Sequence, residues 1–188
     1  WIPATRRALS DASQIRGLID QELRDDLNEE FEDQILNGNG TGENFTGIMN
    51  TAGVLTQAWD TDLLTTLRKA RTTLAVSGRA RPTAVVLHPN DMEAVDLIKD
   101  DSGRFYFGGP VDGGVPRIWR VPAVESEAID EGTALMGDFR KAILWDREQA
   151  NIQVSNSHED FFIRNMVAIL AEMRAAFGVI RPTGFVIV

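Results

Sequence analysis

The strongest constraint in this 188-residue sequence is a long series of apolar residues at helical spacing near its start. Within residues 10–36, apolar side chains recur three and four positions apart, which predicts one helix with a single apolar stripe. The stripe comprises Ile15, Leu18, Ile19, Leu23, Leu27, Phe31 and Ile35. At 1.5 Å per residue such a helix is about 40 Å long, so it needs other segments or other subunits to cover the stripe.

The other faces of the same predicted helix are acidic. Residues 20–33 contain eight acidic side chains and one basic side chain, Arg24. Asp26, Glu30 and Asp33 share a face and could hold a metal ion, but their spacing is not that of a calcium loop. We therefore interpret this face as solvated or as a contact between subunits, and we expect no metal and no cofactor.

Composition excludes several broad classes of protein. Apolar residues make up 43% of the chain, which is typical of a folded globular protein and not of a disordered one. The net charge of −9 disfavours specific nucleic-acid binding, and the absence of cysteine excludes disulfides and thiolate chemistry. No apolar run is long enough to cross a membrane. The chain begins at Trp1, so we expect that a region upstream is missing.

After the long helix, the pattern changes to short alternating elements. A helix is predicted at about 60–76, with Arg68, Lys69 and Arg71 placed late to complement the helix dipole, and a strand and a capped helix follow. Residues 103–116 are rich in glycine and are predicted to form a loop. The predicted strands are 83–88, 117–121, 133–138, 142–145, 151–154 and 185–188. Propensity leaves residues 162–179 open between helix and strand.

A glycine-rich segment, residues 37–44, follows the long helix; we call it the glycine loop. Its candidate functional residues are Asn37, Gly38, Asn39, Gly40, Thr41 and Gly42. Closely spaced glycines can hold a phosphate, and we expect positive φ angles at Gly38 and Gly40. The phosphate motifs are incomplete, because Glu43 stands where a Walker loop has lysine and a dinucleotide loop has glycine. A structural turn or a subunit contact is the favoured interpretation.

Catalytic motifs are also incomplete. The chain has two histidines, His88 before a proline and His158 in a polar segment, and neither has a recognisable set of catalytic partners. We therefore predict that the chain is not an enzyme; a hydrolase or phosphate-binding enzyme using the glycine loop stays as the alternative from another class. The basic residues of 63–90 could meet the acidic helix of a neighbouring subunit, as an alternative to complementing the dipole of their own helix.

Several of these segments together resemble the major capsid proteins of tailed phages with the Hong Kong 97 fold. Residues 35–42 followed by 46–49 resemble that family's helix, LNGxGTG and GI(L/M) turn, and residues 136–142 resemble its GDF-x-x-A strand. Residues 8–12 resemble the entry to its spine helix. Residues 165–169, 180–182 and 185–186 resemble its closing sheet.

The resemblance implies an α+β fold with a spine helix, a peripheral-domain sheet and an inserted α/β axial domain. Residues 1–54 and 145–188, with spine helix 10–36, would be peripheral and residues 55–144 axial. Residues 162–179 would then be a long strand. The resemblance also points to Asn156 as a candidate acceptor of an isopeptide cross-link, although the lysine side is absent.

By the same resemblance, the chain would be the structural subunit of an icosahedral phage or prophage shell around DNA. Its partners would be copies of itself in hexamers and pentamers, together with scaffold, protease and portal proteins. It would lie in the virion capsid, and in the host cytoplasm before assembly. An encapsulin-like bacterial nanocompartment shell is the alternative with the same fold.

Overall fold

The structure, a computed structural model, describes residues 1–7, 13–106 and 115–188. The strands in chain order are β1 Ile2–Thr5, β2 Leu55–Thr56, β3 Ala84–Leu87, β4 Arg117–Ile118, β5 Val121–Glu125, β6 Ala134–Gly137, β7 Ala142–Ser155, β8 Met166–Val179 and β9 Phe185–Ile187. The helices are α1 Ser13–Asn37, α2 Leu63–Val76, α3 Pro89–Asp96 and α4 Phe161–Arg164, with 3₁₀ turns at Phe139–Lys141 and Pro182–Gly184. Helices and strands alternate irregularly, which is the α+β organisation that was predicted.

The chain divides into two compact units. One comprises residues 1–32 and 144–176, and the other comprises residues 33–143 and 177–188. The peripheral and axial domains, predicted as 1–54 with 145–188 and as 55–144, are defined by their place in a shell. Those boundaries therefore stay a prediction.

The larger unit is built on a six-stranded mixed sheet in the order β2-β9-β6-β3-β5-β4. Strand β3 lies at its centre, parallel to β5 and antiparallel to β6. Because neighbouring residues of a strand face opposite ways, Val85 and Leu87 enter one apolar cluster and Val86 enters another. The first cluster includes Leu67 and Leu74 of α2. The sheet is thus covered on both faces where β3 crosses it.

Helix α2 starts with a side-chain cap. The Asp62 carboxylate accepts a hydrogen bond from the Thr65 backbone N–H at 2.7 Å and another from the Thr65 hydroxyl. These bonds favour the ionised form and lower the pKa of Asp62. The helix ends at Val76, and its last turn holds no basic residue. The predicted dipole compensation by Arg68, Lys69 and Arg71 is therefore wrong, because these residues lie in the middle of the helix.

The smaller unit contains a three-stranded sheet in the order β1-β8-β7. Strand β1 pairs antiparallel with the start of β8, from Ile2 opposite Ile169 to Thr5 opposite Met166. The long strand expected within residues 162–179 is present as β8, preceded by the short helix α4. The separate strands predicted at 142–145 and 151–154 are one continuous strand, β7, because no turn breaks the chain between them.

Helix α1 is present over most of its predicted length, and residues 10–12 lie outside the described residues. Leu23 is buried, whereas Leu18 is 64% exposed. The predicted apolar stripe is therefore wrong at Leu18. Its position is four and seven residues before Glu22 and Asp25, so it lies on the acidic face of the helix.

A second correction concerns the strand predicted at 117–121. The chain turns there, because Trp119 and Arg120 have φ angles of 50° and 69° and join β4 to β5 as a hairpin. Positive φ at both central residues is the pattern of a type I′ turn, which normally carries Asn or Gly. Of the predicted loop 103–116, residues 107–114 lie outside the described residues.

Candidate assembly surfaces

The glycine loop is anchored at a closely packed base. Gly38 N–H donates to the Gln34 carbonyl at 3.1 Å, and Gly47 N–H donates to the Gly38 carbonyl at 2.8 Å. A Cβ on Gly38 would overlap the carbonyl oxygens of Phe45 and Gln34, and a Cβ on Gly47 would overlap the backbone of Leu36 and Gly38. Two glycines are therefore required where the loop leaves α1.

The backbone conformation of Gly38 differs from the one that the sequence predicts. Gly40 and Gly42 have positive φ angles of 68° and 63°, whereas Gly38 is absent from the positive-φ residues. Gly38 is required for a different reason, namely the close approach of the backbone around it. The positive φ predicted for Gly40 is confirmed and that for Gly38 is wrong.

Side-chain amides hold the loop to its surroundings. The Asn37 amide donates to the Asp33 carboxylate at 2.8 Å and to the Ala128 carbonyl at 2.5 Å. The Asn50 amide donates to the Asn37 carbonyl at 2.6 Å. The end of α1 is thus tied to two other segments of the same compact unit.

The tip of the loop is organised around one acceptor. The Asn39 side-chain oxygen accepts from the Thr41 N–H at 3.0 Å, the Thr41 hydroxyl at 2.8 Å and the Asn44 amide at 3.1 Å. Gly40 N–H donates to the Phe45 carbonyl at 2.7 Å, across an isolated bridge between Asn39 and Thr46. Residues 39–44 are exposed. The tip is a preformed, solvent-facing projection.

The hydrogen bonds of the loop tip do not favour the alternative that the glycine loop binds phosphate. A phosphate-binding loop aims backbone N–H groups outward at the anion. Here the N–H groups of Gly40, Thr41 and Asn44 donate to acceptors within the loop. Nothing in the arrangement favours phosphate binding, and the loop is better suited to presenting a rigid surface.

The two histidines have structural roles. His88 caps α3, because its Nδ1 accepts the Asn90 N–H at 3.1 Å. The His158 ring packs edge-on against Phe161 and Trp1, with ring centroids 5.0 and 5.1 Å away. Neither ring is placed beside a serine nucleophile in these contacts. Among the described residues, no group of three or more His, Asp or Glu side chains is arranged to hold a metal ion.

Asn156 and α4 lie at the same end of the smaller unit. Asn156 is half-buried in the turn after β7. Its role as a cross-link acceptor stays a prediction. Helix α4 leaves Phe162 and Ile163 exposed, at 76% and 86%. The helix ends at Asn165, whose φ of 55° is left-handed.

Three basic residues lie in the β4–β5 turn or on the part of α2 that contacts it. The Trp119 indole N–H donates to the Leu64 carbonyl of α2 at 2.7 Å, and Arg71 donates to the Trp119 carbonyl at 2.9 Å. Arg68 lies one turn from Leu64 and Arg71 on the same side of α2. We call Arg68, Arg71 and Arg120 the basic patch. The sequence does not reveal this turn, because tryptophan and arginine rarely adopt positive φ angles.

An ion pair between a buried carboxylate and an exposed guanidinium lies at the end of β6. The Arg140 guanidinium donates from Nε to the Asp138 carboxylate at 2.7 Å and from Nη2 at 3.1 Å. These hydrogen bonds lower the pKa of Asp138 and raise that of Arg140. The carboxylate is buried and the guanidinium is exposed. The pair lies in the segment 136–142, which resembles the GDF-x-x-A strand. That segment is not one strand, because the 3₁₀ turn Phe139–Lys141 separates β6 from β7.

A profile of the phage capsid family matches residues 1–188, the whole chain. The chain belongs to the phage capsid family. It is 34% identical over 193 residues to the major capsid protein of Enterobacteria phage HK97, an alignment that covers 99% of the chain and 49% of that protein. This family member thus spans about half the length of its curated relative.

Solved structures show the fold of this capsid-family chain. It matches the capsid of an empty GTA particle computed with C5 symmetry at a TM-score of 0.76 and 18% identity, over 99% of this chain and 70% of the other. A chain of Gordonia phage Cozz matches at 0.76 and 18%, over 99% and 67%. A virus-like particle from Pyrococcus furiosus matches at 0.60 and 14%, over 84% and 61%.

The predicted Hong Kong 97-like capsid fold is therefore confirmed. The phage capsid family is one of structural proteins and not of enzymes, in agreement with the sequence prediction. No helix among the described residues is both long and apolar enough to cross a membrane.

Proposed function

We propose that this chain is the repeating structural subunit of a phage or prophage capsid that encloses a DNA genome. The observation that carries the proposal is the 34% identity to the HK97 major capsid protein across 99% of this chain. The glycine loop supports it, because the preformed exposed tip is suited to repeated contacts between rigid copies. In such a shell, copies of the chain would form hexamers and pentamers.

The nanocompartment alternative shares the fold. No feature of the described residues favours that alternative. The contents of purified particles distinguish the two, since a capsid packages DNA and a nanocompartment holds protein cargo.

The experiment is expression of the full-length gene product, followed by sedimentation and electron microscopy. We expect closed particles of uniform size, built from hexamers and pentamers. A product that stays monomeric or dimeric at high protein concentration, with and without the neighbouring gene products, contradicts the proposal. Scaffold, protease and portal proteins are the partners to include, and the host cytoplasm is the proposed place of assembly.

We infer further that the tip of the glycine loop is one of the contacts between copies. Glu43 is exposed there, so Glu43→Lys alters the surface without removing a core contact. Particle yield should fall while the melting temperature of the subunit stays unchanged. Glu93→Lys, the same change on the exposed face of α3, is the matched control. Equal particle yields for the two variants would remove the loop tip from the assembly surface.

In the proposed shell, residues 1–54 and 145–188, with the spine helix, form the peripheral domain and residues 55–144 form the axial domain. Residues 55–144 supply five strands of the six-stranded sheet, and β9 from the end of the chain completes it. Particle reconstruction at a resolution that traces the chain would test this assignment directly.

A further inference from the structure

We propose that the basic patch, formed by Arg68, Arg71 and Arg120, binds the acidic face of α1 in a second copy of this chain. This inference rests on the proposed function, because assembly is what brings two copies of the chain together. The acidic face is defined by five exposed side chains, which we call the acidic stripe. They are Glu22, Asp25, Asp26, Glu29 and Glu32.

Two hydrogen bonds hold the turn that carries Arg120 against helix α2, which carries Arg68 and Arg71. The Trp119 indole N–H reaches the Leu64 carbonyl, and Arg71 reaches the Trp119 carbonyl, so the turn is fastened to α2 at two points. Arg120 follows with a φ of 69°, a conformation that L residues rarely adopt. Its side chain is exposed. Strained residues that persist in a fastened turn are typical of functional surfaces.

Among the residues that the structure describes, no acid forms an ion pair with Arg68, Arg71 or Arg120. Arg68 donates to the Thr72 hydroxyl at 2.7 Å, and Arg71 donates to a backbone carbonyl, which are both uncharged acceptors. By contrast, the neighbouring Lys69 forms an ion pair with Asp60. Compensation of the α2 dipole does not explain the arginines either, since the last turn of α2 holds no basic residue.

The acidic stripe has complementary charge and spacing. Its members recur at intervals of three and four residues, so they lie on one side of α1 and repel one another. From Glu22 to Glu32 the stripe extends about 15 Å along the helix axis. A partner that brings several positive charges relieves this repulsion. Every copy of the chain carries one patch and one stripe, so two copies supply both surfaces in equal number.

A second copy is favoured over nucleic acid as the occupant. The net charge of the chain is −9, which repels a phosphate backbone at long range. Two copies also repel at long range, but a local patch opposite a local stripe gives complementary potentials and fixes orientation. The occupant is therefore the acidic face of α1, presented by another subunit.

Zero-length cross-linking tests the contact. Arg68→Lys places an amine in the patch, and a carbodiimide joins that amine only to a carboxylate in direct contact. Light and isotope-labelled copies of the full-length product are mixed before assembly, so that mass spectrometry identifies bonds between copies. We expect mixed light–heavy peptides joining position 68 to Asp25 or Glu29. The Lys69–Asp60 pair provides an internal control within one copy.

Each outcome of this experiment is decisive. Particles without a cross-link from position 68 overturn the contact and leave the proposed function intact. Cross-linked small oligomers without particles support the contact and contradict the shell. Cross-links confined to one copy, or cross-links from position 68 only to carboxylates outside the acidic stripe, overturn the contact.

Charge reversal gives an independent test. Arg68→Glu with Arg120→Glu should weaken association of copies by roughly tenfold or more, because like charges then face each other. Asp25→Lys with Glu29→Lys should do the same. A chain carrying all four changes should regain association, since opposite charges again meet. Arg79→Glu with Arg81→Glu, two exposed bases outside the patch, is the matched control. A quadruple variant no better than either double variant overturns the proposal.

Discussion

Gly47 donates its amide hydrogen to the Gly38 carbonyl at 2.8 Å, and a side chain on either residue would overlap neighbouring backbone atoms. This pairing fixes the path of the chain as it leaves α1. The loop tip, which is exposed, is held by a base that has no room for a methyl group.

Gly47→Ala should destabilise the fold by about 1 to 3 kcal/mol, as overpacking does, because the added Cβ meets the Leu36 carbonyl. Chemical denaturation measures the effect. Gly17→Ala is the matched control in α1, where a Cβ meets nothing within 4 Å. That change should stabilise the helix by about 0.5 to 1 kcal/mol. The same sign for both variants would contradict the packing described at the loop base.

Helix α1 allows a comparison of two leucines. Leu23 is buried, so Leu23→Ala should cost about 2 to 5 kcal/mol. Leu18→Ala should cost under about 0.5 kcal/mol, because that side chain is 64% exposed. Urea unfolding of the two variants checks the orientation of the helix. Equal midpoints would mean that the helix buries a different face.

Asp138 should make stability depend on pH. Hydrogen bonds from Arg140 lower the pKa of Asp138 in the folded state, so the ionised carboxylate stabilises the fold above its unfolded-state pKa of about 3.9. This contribution is lost as the pH falls from that value towards the lower folded-state pKa. The stability difference between wild type and Asp138→Asn should therefore be largest near neutral pH and shrink in acid.

Denaturant titrations across this pH range measure that difference. Arg140→Gln is the matched variant, since it removes the donor and leaves the carboxylate. We expect it to reduce the same pH dependence. A wild-type advantage over Asp138→Asn that grows as the solution is acidified would reverse the assigned sign.

Arg120→Gly should stabilise the isolated chain by about 1 kcal/mol, because glycine adopts positive φ without the steric cost that arginine has. Thermal unfolding measures this gain. Arg117→Gly, in β4 just before the turn, should instead destabilise the chain, since it weakens a strand. A loss of stability in Arg120→Gly would mean that its side chain, and not its backbone, decides the energy of the turn.

The sequence pattern predicted best where local chemistry and burial agree. The apolar run before His88 became β3, and the Asn37–Gly38 pair marked the end of α1 within a residue. It failed where distant contacts decide. Leu18 has the right spacing for a buried stripe, but it is also four residues before Glu22, so local spacing alone does not choose between burial and exposure.

The candidate surfaces were predicted unevenly for the same reason. The glycine loop is visible from its composition, since glycines at such density mark a turn. The turn at Trp119 and Arg120 is not, because hydrogen bonds from Trp119 to Leu64 and from Arg71 stabilise it across more than forty residues of sequence. The choice of strand for residues 166–179 came from family resemblance, since propensity alone was balanced.

The hydrogen bonds of the glycine loop also bear on how the protein ages. Asparagine followed by glycine loses ammonia when the glycine nitrogen attacks the asparagine side chain, and the chain has this pair at Asn37–Gly38 and at Asn39–Gly40. Both glycine nitrogens are engaged here, with the Gln34 and Phe45 carbonyls respectively. Deamidation should thus be slow in the folded chain and rapid once the loop opens, so that accumulated aspartate at these two positions records the time a molecule has spent unfolded.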